Sequence, residues 1–167
     1  MRNRDAKVIG WVLVAGILAE LATVWLVAQE AEETPKTFYD NLAEAAQKRT
    51  ESRVRYDPAY VVIDYPGGDV PAETGVCTDV VIRSYRALGL DLQKFVHEDM
   101  RRNFSKYPKN WGLKRADKNI DHRRVPNLQR FFKRRGAELP ITDDVANYKP
   151  GDVVAWDLNG RGLTHIG

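Results

Sequence analysis

Apolar residues recur at intervals of three or four along four stretches of the chain. This spacing places them on one face of an α-helix, so each stretch is predicted to be helical. The predicted helices cover residues 38–48, 77–88, 91–104 and 127–135. Gly89 and Gly136 follow two of these stretches, and glycine commonly ends a helix because it adopts the left-handed conformation without strain.

The strand signals are shorter. A β-branched run at residues 60–65 is stopped by the Pro-Gly-Gly sequence at 66–68, which predicts a short strand or an extended segment. Two further strands are predicted around the Asn-Gly pair at 159–160, and the first of them follows a Pro-Gly-Asp turn at 150–152 that Asp152 is expected to cap. The combination predicts an α+β fold, with helices packed against a small antiparallel sheet.

An apolar segment near the amino terminus, residues 8–28, contains Glu20 as its one charged residue. A helix of this length would reach roughly 31 Å at about 1.5 Å per residue, close to the ~30 Å hydrocarbon core of a membrane. Basic residues precede the segment and acidic residues follow it, so the rest of the chain is expected to be exported. A cleaved signal peptide and an uncleaved anchor both stay open. A buried core helix is the less favoured alternative.

These patterns divide the chain into three parts. Residues 1–29 are the signal peptide or membrane anchor, residues 30–55 an acidic linker with a short helix, and residues 56–167 a single folded domain. The domain is expected to be extracytoplasmic, in the periplasm or envelope. The membrane is an expected partner, through the amino-terminal segment, if that segment is not cleaved.

Positive charge is concentrated in residues 101–135, which hold thirteen basic residues against two acidic ones. Aromatic residues are interleaved with this charge, as is typical of polyanion binding. For an exported domain the expected partner is a cell-wall peptide or another anionic envelope polymer, and not nucleic acid. The alternative, favoured for the last helix, is that Leu128, Phe131 and Phe132 are its buried face and that its basic residues are solvated or paired with the acidic remainder.

The chain has one cysteine, Cys77, which stands where a glycine break at Gly75 gives way to a helical pattern. The free N–H groups and the positive dipole end of a helix start stabilise a thiolate. His165 opens the last predicted strand, and a cysteine at a helix start followed by a histidine on a strand is typical of cysteine hydrolases. Cys77 is therefore the candidate nucleophile and His165 the candidate general base. An inert buried thiol and an ordinary strand histidine are the alternatives.

The Cys77 helix, the turn and strand at residues 150–156 and the His165 strand resemble the NlpC-type and CHAP-type enzymes of the papain-like cysteine hydrolase superfamily. Many of these enzymes cut peptide or amide bonds in bacterial cell wall. The resemblance covers about a third of the chain. It implies a papain-like fold over residues 56–167, an amidase or endopeptidase activity, and no cofactor or metal.

The segments between those motifs resemble an uncharacterised family of exported bacterial proteins more closely, one named only as a domain of unknown function. These segments are residues 65–70, 96–100 and 119–128, and the likeness implies no activity. In the NlpC-like enzymes a polar residue that orients the histidine follows on a later strand, whereas this chain ends two residues after His165. The orienting residue and the completing strands are therefore expected to lie beyond Gly167.

Charged side chains near these motifs predict two kinds of contact. The predicted substrate-binding residues are Asp121, His122, Arg123 and Arg124. Guanidinium groups pair bidentately with carboxylates, so the two arginines are expected to hold an anionic group of the substrate. Asp79 and Arg83 stand one helical turn apart, and the spacing predicts an ion pair beside the nucleophile.

Two alternatives to a hydrolase come from other functional classes. A metal-binding module would use Cys77 with His97, His122 and His165, which are chemically suited to zinc. However, no pair of these residues has the spacing of a ligand motif. A non-catalytic protein would instead bind cell wall or another polyanion through the basic segment 101–135.

Overall fold

The computed structural model describes residues 35–162 and 164–167, so the apolar segment 8–28 and its predicted export lie outside the described residues. The elements are α1 (Phe38–Lys48), β1 (Arg55–Tyr56), β2 (Thr74–Gly75), α2 (Cys77–Ala87), α3 (Leu92–Asn103), α4 (Val125–Arg134), β3 (Ala155–Asp157) and β4 (Thr164–Ile166). The α+β class is confirmed. None of the described helices has the length and apolar character that a membrane crossing requires.

The four predicted helices are confirmed, with each end within two residues of its expected position. Helix α1 begins with a capping box, in which Thr37 Oγ1 accepts from the Asp40 N–H and the Asp40 carboxylate accepts from the Thr37 N–H. Asp91 caps the start of α3 through its side chain. Gly89 and Gly136 follow α2 and α4 with φ of +79° and +75°. Local signals therefore set these ends.

The hydrophobic core lies between α2, α3, α4 and β4. Its most deeply buried apolar side chains are Ile82, Leu92, Val96, Met100, Leu128 and Ile166. Burying one such side chain stabilises a fold by about 1.5–3 kcal/mol. Ile166 is the contribution of β4, which packs against α2 and α4. The core thus holds the last strand against the helix that begins with Cys77.

Helix α4 has the amphipathic arrangement that its sequence predicts. Leu128 and Phe131 are buried in the core. On the other face, Lys133 pairs with Glu138, and the Arg134 guanidinium binds Asp99 at 2.7 Å. The hydrogen bond from Arg134 lowers the pKa of Asp99. The interpretation of this helix as a core element with paired basic residues is confirmed.

The described strands form two separate pairs. β3 and β4 are antiparallel, with Trp156 opposite His165, so the two strands predicted around residues 159–160 are confirmed. β1 and β2 are a parallel pair that the sequence did not predict, because two-residue strands leave no alternation to detect. No strand forms at residues 60–65.

The turn before β3 packs closely against α1. The Asp152 carboxylate accepts a hydrogen bond of 2.8 Å from the Lys149 N–H, which confirms the predicted cap. Gly151 has φ of +89°, and a Cβ atom there would lie 2.6 Å from the backbone oxygen of Tyr39 in α1. Glycine is therefore required at this approach, which sets where the β3–β4 hairpin leaves the helices.

Candidate functional site

Cys77 is the first residue of α2 and follows Val76, whose backbone is extended (φ −127°, ψ 177°). Its thiol is free and partly buried, and it packs at the rim of the core. The backbone N–H groups of a first helical turn have no partner within the helix. The thiol therefore stands where a helix start can stabilise negative charge, and it is not sealed in the interior.

The backbone before Cys77 is held by Asp79. The Asp79 carboxylate accepts a hydrogen bond of 2.7 Å from the Val76 N–H, and the Asp79 N–H donates to the Val76 oxygen at 2.9 Å. This reciprocal contact defines the first turn of α2. Gly75 packs against it, since a Cβ there would lie 3.2 Å from Asp79 Oδ2.

Arg123 completes the support from a distant part of the chain. Its Nε donates to Asp79 Oδ1 and its Nη2 to Asp79 Oδ2, both at 2.9 Å. Each side chain of this pair is 3% exposed. The Thr78 hydroxyl donates to the backbone oxygen of Arg123 at 3.0 Å. A buried, bidentate ion pair thus clamps the helix start that carries Cys77.

The predicted ion pair between Asp79 and Arg83 is wrong. Arg83 turns away from the helix start and donates to Asp69 at 2.9 Å and to the backbone oxygens of Val70 and Thr74. Asp79 instead pairs with Arg123, because the buried start of α2 faces the segment around residue 123. The Arg123 guanidinium donates to both oxygens of the Asp79 carboxylate.

Asp121 and His122, beside Arg123, are also buried. Asp121 is 0% exposed and His122 is 2% exposed. Burial raises the pKa of Asp121 to about 6 and lowers the pKa of His122 to about 4. His122 Nδ1 has no hydrogen-bond partner among the described residues. Together with Arg123 these side chains present little surface to a substrate in this structure. Their role in substrate binding stays a prediction, whereas Arg123 contacts α2 through Asp79.

Arg124 is the member of the predicted substrate-binding group that reaches the surface. Its guanidinium lies 4.2 Å from the ring centroid of Trp111, which is 44% exposed. Its Nη1 also donates to Asp121 at 3.4 Å, a long hydrogen bond. The Arg124 side chain is 16% exposed, so part of it is accessible to an anionic group.

The opposite shifts of Asp121 and His122 predict opposing effects of pH on stability. The His122 pKa is lowered from 6.5 to about 4, so unfolded His122 binds a proton first and stability is lost as pH falls through that window. The Asp121 pKa is raised from 3.8 to about 6, so native Asp121 binds a proton first and stability is gained as pH falls from about 6. The two effects offset each other between pH 6 and 4.

Removing one member of this pair should expose the effect of the other. When the pH is lowered from 6.5 to 4, the free energy of unfolding of Asp121→Asn is expected to fall, because protonation of His122 is no longer offset. This fall should exceed that of wild type by on the order of 3 kcal/mol. Urea denaturation at a series of pH values measures this difference. Asp143→Asn, at an exposed position, is the matched control and should follow wild type. If the free energy of unfolding depends on pH in the same way in wild type and in Asp121→Asn, Asp121 does not offset the effect of His122.

His165 lies on β4 with its side chain exposed. Its ring is 5.6 Å from the ring of Trp156, its cross-strand neighbour. The next residue, Ile166, is buried in the core, and successive side chains of a strand point to opposite faces. The structure thus brings β4 against α2, but no hydrogen bond joins His165 to Cys77 in the described part of the chain.

The histidines and the cysteine of the metal-site alternative are not assembled. Within residues 35–162 and 164–167, no group of three His, Cys, Asp or Glu side chains is placed to hold a metal ion. His97 instead packs its ring against Tyr65, with centroids 5.1 Å apart. The described residues give the zinc hypothesis no support.

Sequence reasoning missed the support of the Cys77 helix by Asp79 and Arg123. An acidic residue at the third helical position was a readable local signal for the first half of this contact. The second half joins residues 44 positions apart, and no local pattern encodes such a pairing.

Comparison with known proteins places the chain in a family. The model of a domain of unknown function, DUF1287, matches residues 43–167. The chain belongs to the DUF1287 family. This confirms the expected likeness to a family named only as a domain of unknown function.

One curated protein is similar in sequence to most of the chain. The chain is 54% identical over 126 residues to "Uncharacterized protein YijF" of Escherichia coli (strain K12), a match that covers 75% of this chain and 61% of the relative. The chain thus spans about 61% of that relative's length. No solved structure matches the chain. Membership of the DUF1287 family carries no activity with it, so a function has to be argued from the site.

Proposed function

We propose that this DUF1287 protein is a cysteine amidase or peptidase with a papain-like arrangement, in which Cys77 is the nucleophile and His165 the base. The observation that carries the proposal is the thiol itself. It is partly exposed, and it is the first residue of a helix whose start is held by the buried pair of Asp79 and Arg123. A helix start that is held in place keeps its free N–H groups and positive dipole end beside the sulfur, where they favour the thiolate over the thiol.

The proposed reaction follows the chemistry of a cysteine nucleophile. The imidazole of His165 takes the thiol proton of Cys77, and the resulting thiolate sulfur attacks the carbonyl carbon of a peptide or amide bond. The backbone N–H of Cys77 donates a hydrogen bond to the oxyanion that forms. The C–N bond breaks as the imidazolium of His165 gives its proton to the leaving amine. Water, deprotonated by the same imidazole, then cleaves the thioester and restores the thiol. Arg124 is proposed to hold a carboxylate of the substrate beside Trp111.

The proposed pairing requires a movement of His165. Its ring now lies against Trp156, on the face of β4 opposite Ile166. Catalysis requires the imidazole to leave that contact and approach the sulfur of Cys77, to within about 3–4 Å. β4 packs against α2 through its Ile166 face, whereas His165 is on the exposed face of the same strand. The approach therefore requires the β3–β4 hairpin to rearrange.

The proposed substrate is a peptide of bacterial cell wall. The protein would act on it in the periplasm or envelope, after export. The resemblance of the Cys77 and His165 motifs to NlpC-type and CHAP-type enzymes supports this substrate class. The basic segment 101–135 also suits an anionic wall fragment.

Substitution of the proposed catalytic pair tests the assignment. Cys77→Ala and His165→Ala are each expected to remove most of the hydrolysis of purified cell-wall peptides, because nucleophile and base act as a unit. Released amine measures turnover, and circular dichroism checks the fold. Arg161→Ala, on the same hairpin as His165 and exposed, is the control and should retain activity.

Thiol labelling gives an independent readout of the same proposal. At neutral pH, iodoacetamide should alkylate Cys77 faster in the native chain than in the urea-unfolded chain, since only the native helix start stabilises the thiolate. Equal turnover by wild type and Cys77→Ala, or slower labelling of the native thiol, would exclude the nucleophile.

A second candidate function is a non-catalytic protein that binds cell wall or another anionic envelope polymer. One observation favours it. Of the thirteen basic residues in the segment 101–135, ion pairs within the described chain engage four, Arg123, Arg124, Lys133 and Arg134. The remaining nine form no ion pair among the described residues. Binding that is unchanged in Cys77→Ala would support this candidate.

A further inference from the structure

An open groove of about 1020 Å³ runs between α3 and the loop at residues 112–119. Arg101 and Phe104 line one side, and Lys114, Arg115 and Lys118 line the other. The groove does not include Cys77 or His165. Its volume is at the upper end of the roughly 300–1,000 Å³ typical of ligand sites, so it suits an extended ligand better than a single small ion.

The four basic side chains of the groove are uncompensated. Neither Arg101 nor the lysines and arginine of the loop form an ion pair in the described part of the chain. Asp117, the acidic residue that lines the groove, accepts hydrogen bonds from the Tyr60 hydroxyl at 3.1 Å and from the Asn119 N–H at 2.9 Å. Asp117 keeps its negative charge in these bonds to neutral donors, so four positive charges against one negative charge leave the groove lining with a net charge of about +3. This excess raises a positive potential that attracts an external anion.

The carboxyl-terminal end of the loop is held by hydrogen bonds to buried side chains and neighbouring backbone. The Asn119 side chain is nearly buried, accepts from the Ile63 N–H at 3.2 Å and donates to the Tyr60 hydroxyl at 2.7 Å. The buried Gln93 amide donates to the Lys118 backbone oxygen at 3.1 Å. These bonds hold the end of the loop at residues 117–119, so a ligand would not have to order the backbone beside Lys118.

We propose that this groove binds an extended, soluble polyanion whose successive charges are phosphate or carboxylate groups. Guanidinium groups of Arg101 and Arg115 suit bidentate contact with such oxyanions, and the lysines supply point charges. The partly buried Phe104 ring offers an apolar surface for the carbon backbone between charges. This inference deepens the polyanion-binding candidate and rests on it, but it does not depend on hydrolysis by Cys77.

Charge reversal inside and outside the groove tests the proposal. Wild-type protein should bind tripolyphosphate or poly-glutamate in isothermal titration calorimetry at low ionic strength. Lys114→Glu/Arg115→Glu should weaken binding about tenfold or more, because both attraction and bidentate geometry are lost. Arg53→Glu/Lys94→Glu makes the same change in net charge at exposed positions outside both the groove and the segment 101–135. This control should stay within about twofold of wild type.

The arms of the experiment separate the outcomes. Preference for tripolyphosphate or for poly-glutamate identifies the anionic group and supports the groove in either case. Equal weakening by the two double variants would overturn the groove in favour of a diffuse polycationic surface. Binding of neither probe would overturn both the groove and the polyanion-binding candidate, as would binding confined to vesicles of phosphatidylglycerol. Peptide hydrolysis, measured in parallel, reports on Cys77 alone.

Discussion

Replacing Asp79 with asparagine is expected to destabilise the domain by about 3–5 kcal/mol, because Arg123 is left buried without a countercharge. Each side chain of the pair is 3% exposed, and two hydrogen bonds of 2.9 Å join them. Asparagine also weakens the contact with the Val76 N–H that precedes Cys77. Urea denaturation followed by circular dichroism measures the loss. The reciprocal change, Arg123→Met, should cost a similar amount because it strands the Asp79 carboxylate.

An exposed ion pair provides the matched control. Lys133 and Glu138 form a contact of 2.6 Å with both side chains more than half exposed, so Lys133→Met should change stability by less than about 1 kcal/mol. The double variant Asp79→Asn/Arg123→Met should lose less than the sum of its single changes, because no charge is left stranded. If Asp79→Asn costs no more than Lys133→Met, the pair does not anchor the start of α2.

Replacing Gly68 with alanine is expected to cost about 3 kcal/mol. A Cβ atom there would overlap the backbone oxygen of Asp64 and lie 2.7 Å from its nitrogen, and backbone atoms cannot move aside as a flexible side chain can. The shift would also break the 3.0 Å hydrogen bond from the Gly68 N–H to Gln93 Oε1. Gln93 is fully buried, so its oxygen would be left unsatisfied.

The neighbouring glycine separates this clash from backbone strain. Gly67 has φ of +79°, but a Cβ atom added there would meet no other atom within 4 Å, so Gly67→Ala should cost only about 1–2 kcal/mol. Thermal and urea unfolding of the two variants compare the costs directly. A loss for Gly68→Ala no greater than that for Gly67→Ala would show that the residue 64–68 turn relaxes freely.

The two expected losses of stability concern two separate regions of the domain. Asp79 and Arg123 support the start of the helix that carries Cys77, whereas Gln93 joins the turn at residues 64–68 to the loop that forms one wall of the basic groove. Thiol labelling should therefore respond more to Asp79→Asn than to Gly68→Ala. Polyanion binding should respond in the reverse order, because the two networks hold different segments.

Local structure was readable from the sequence because its causes are local. Helix α1 was predicted with the bounds it has, Phe38–Lys48, from the spacing of its apolar residues. The cap by Asp152 and the positive φ of Gly136 likewise depend on residues a few positions apart. The family likeness was also in the sequence, since its motifs are runs of adjacent residues.

The partners of charged side chains were decided by the tertiary structure. Helical spacing favoured Arg83 for Asp79, but an exposed pair at that spacing contributes only about 0.3–0.5 kcal/mol. Arg123 offers a bidentate contact in the interior, where unpaired charge is costly, and the fold brings it across 44 positions. The same packing buries Asp121 and His122, which sequence reasoning had assigned to substrate contact.

The sequence by itself determined the four helices, the final hairpin, the capped turn before it and the presence of one thiol at a helix start. Only the tertiary structure decided that His165 lies against Trp156 while Ile166 enters the core. It also gathered uncompensated basic residues around one groove. The physical reason is the sequence separation over which each kind of interaction acts. Caps and periodicity act within one or two helical turns, whereas burial and ion pairing depend on which distant segments the core brings together.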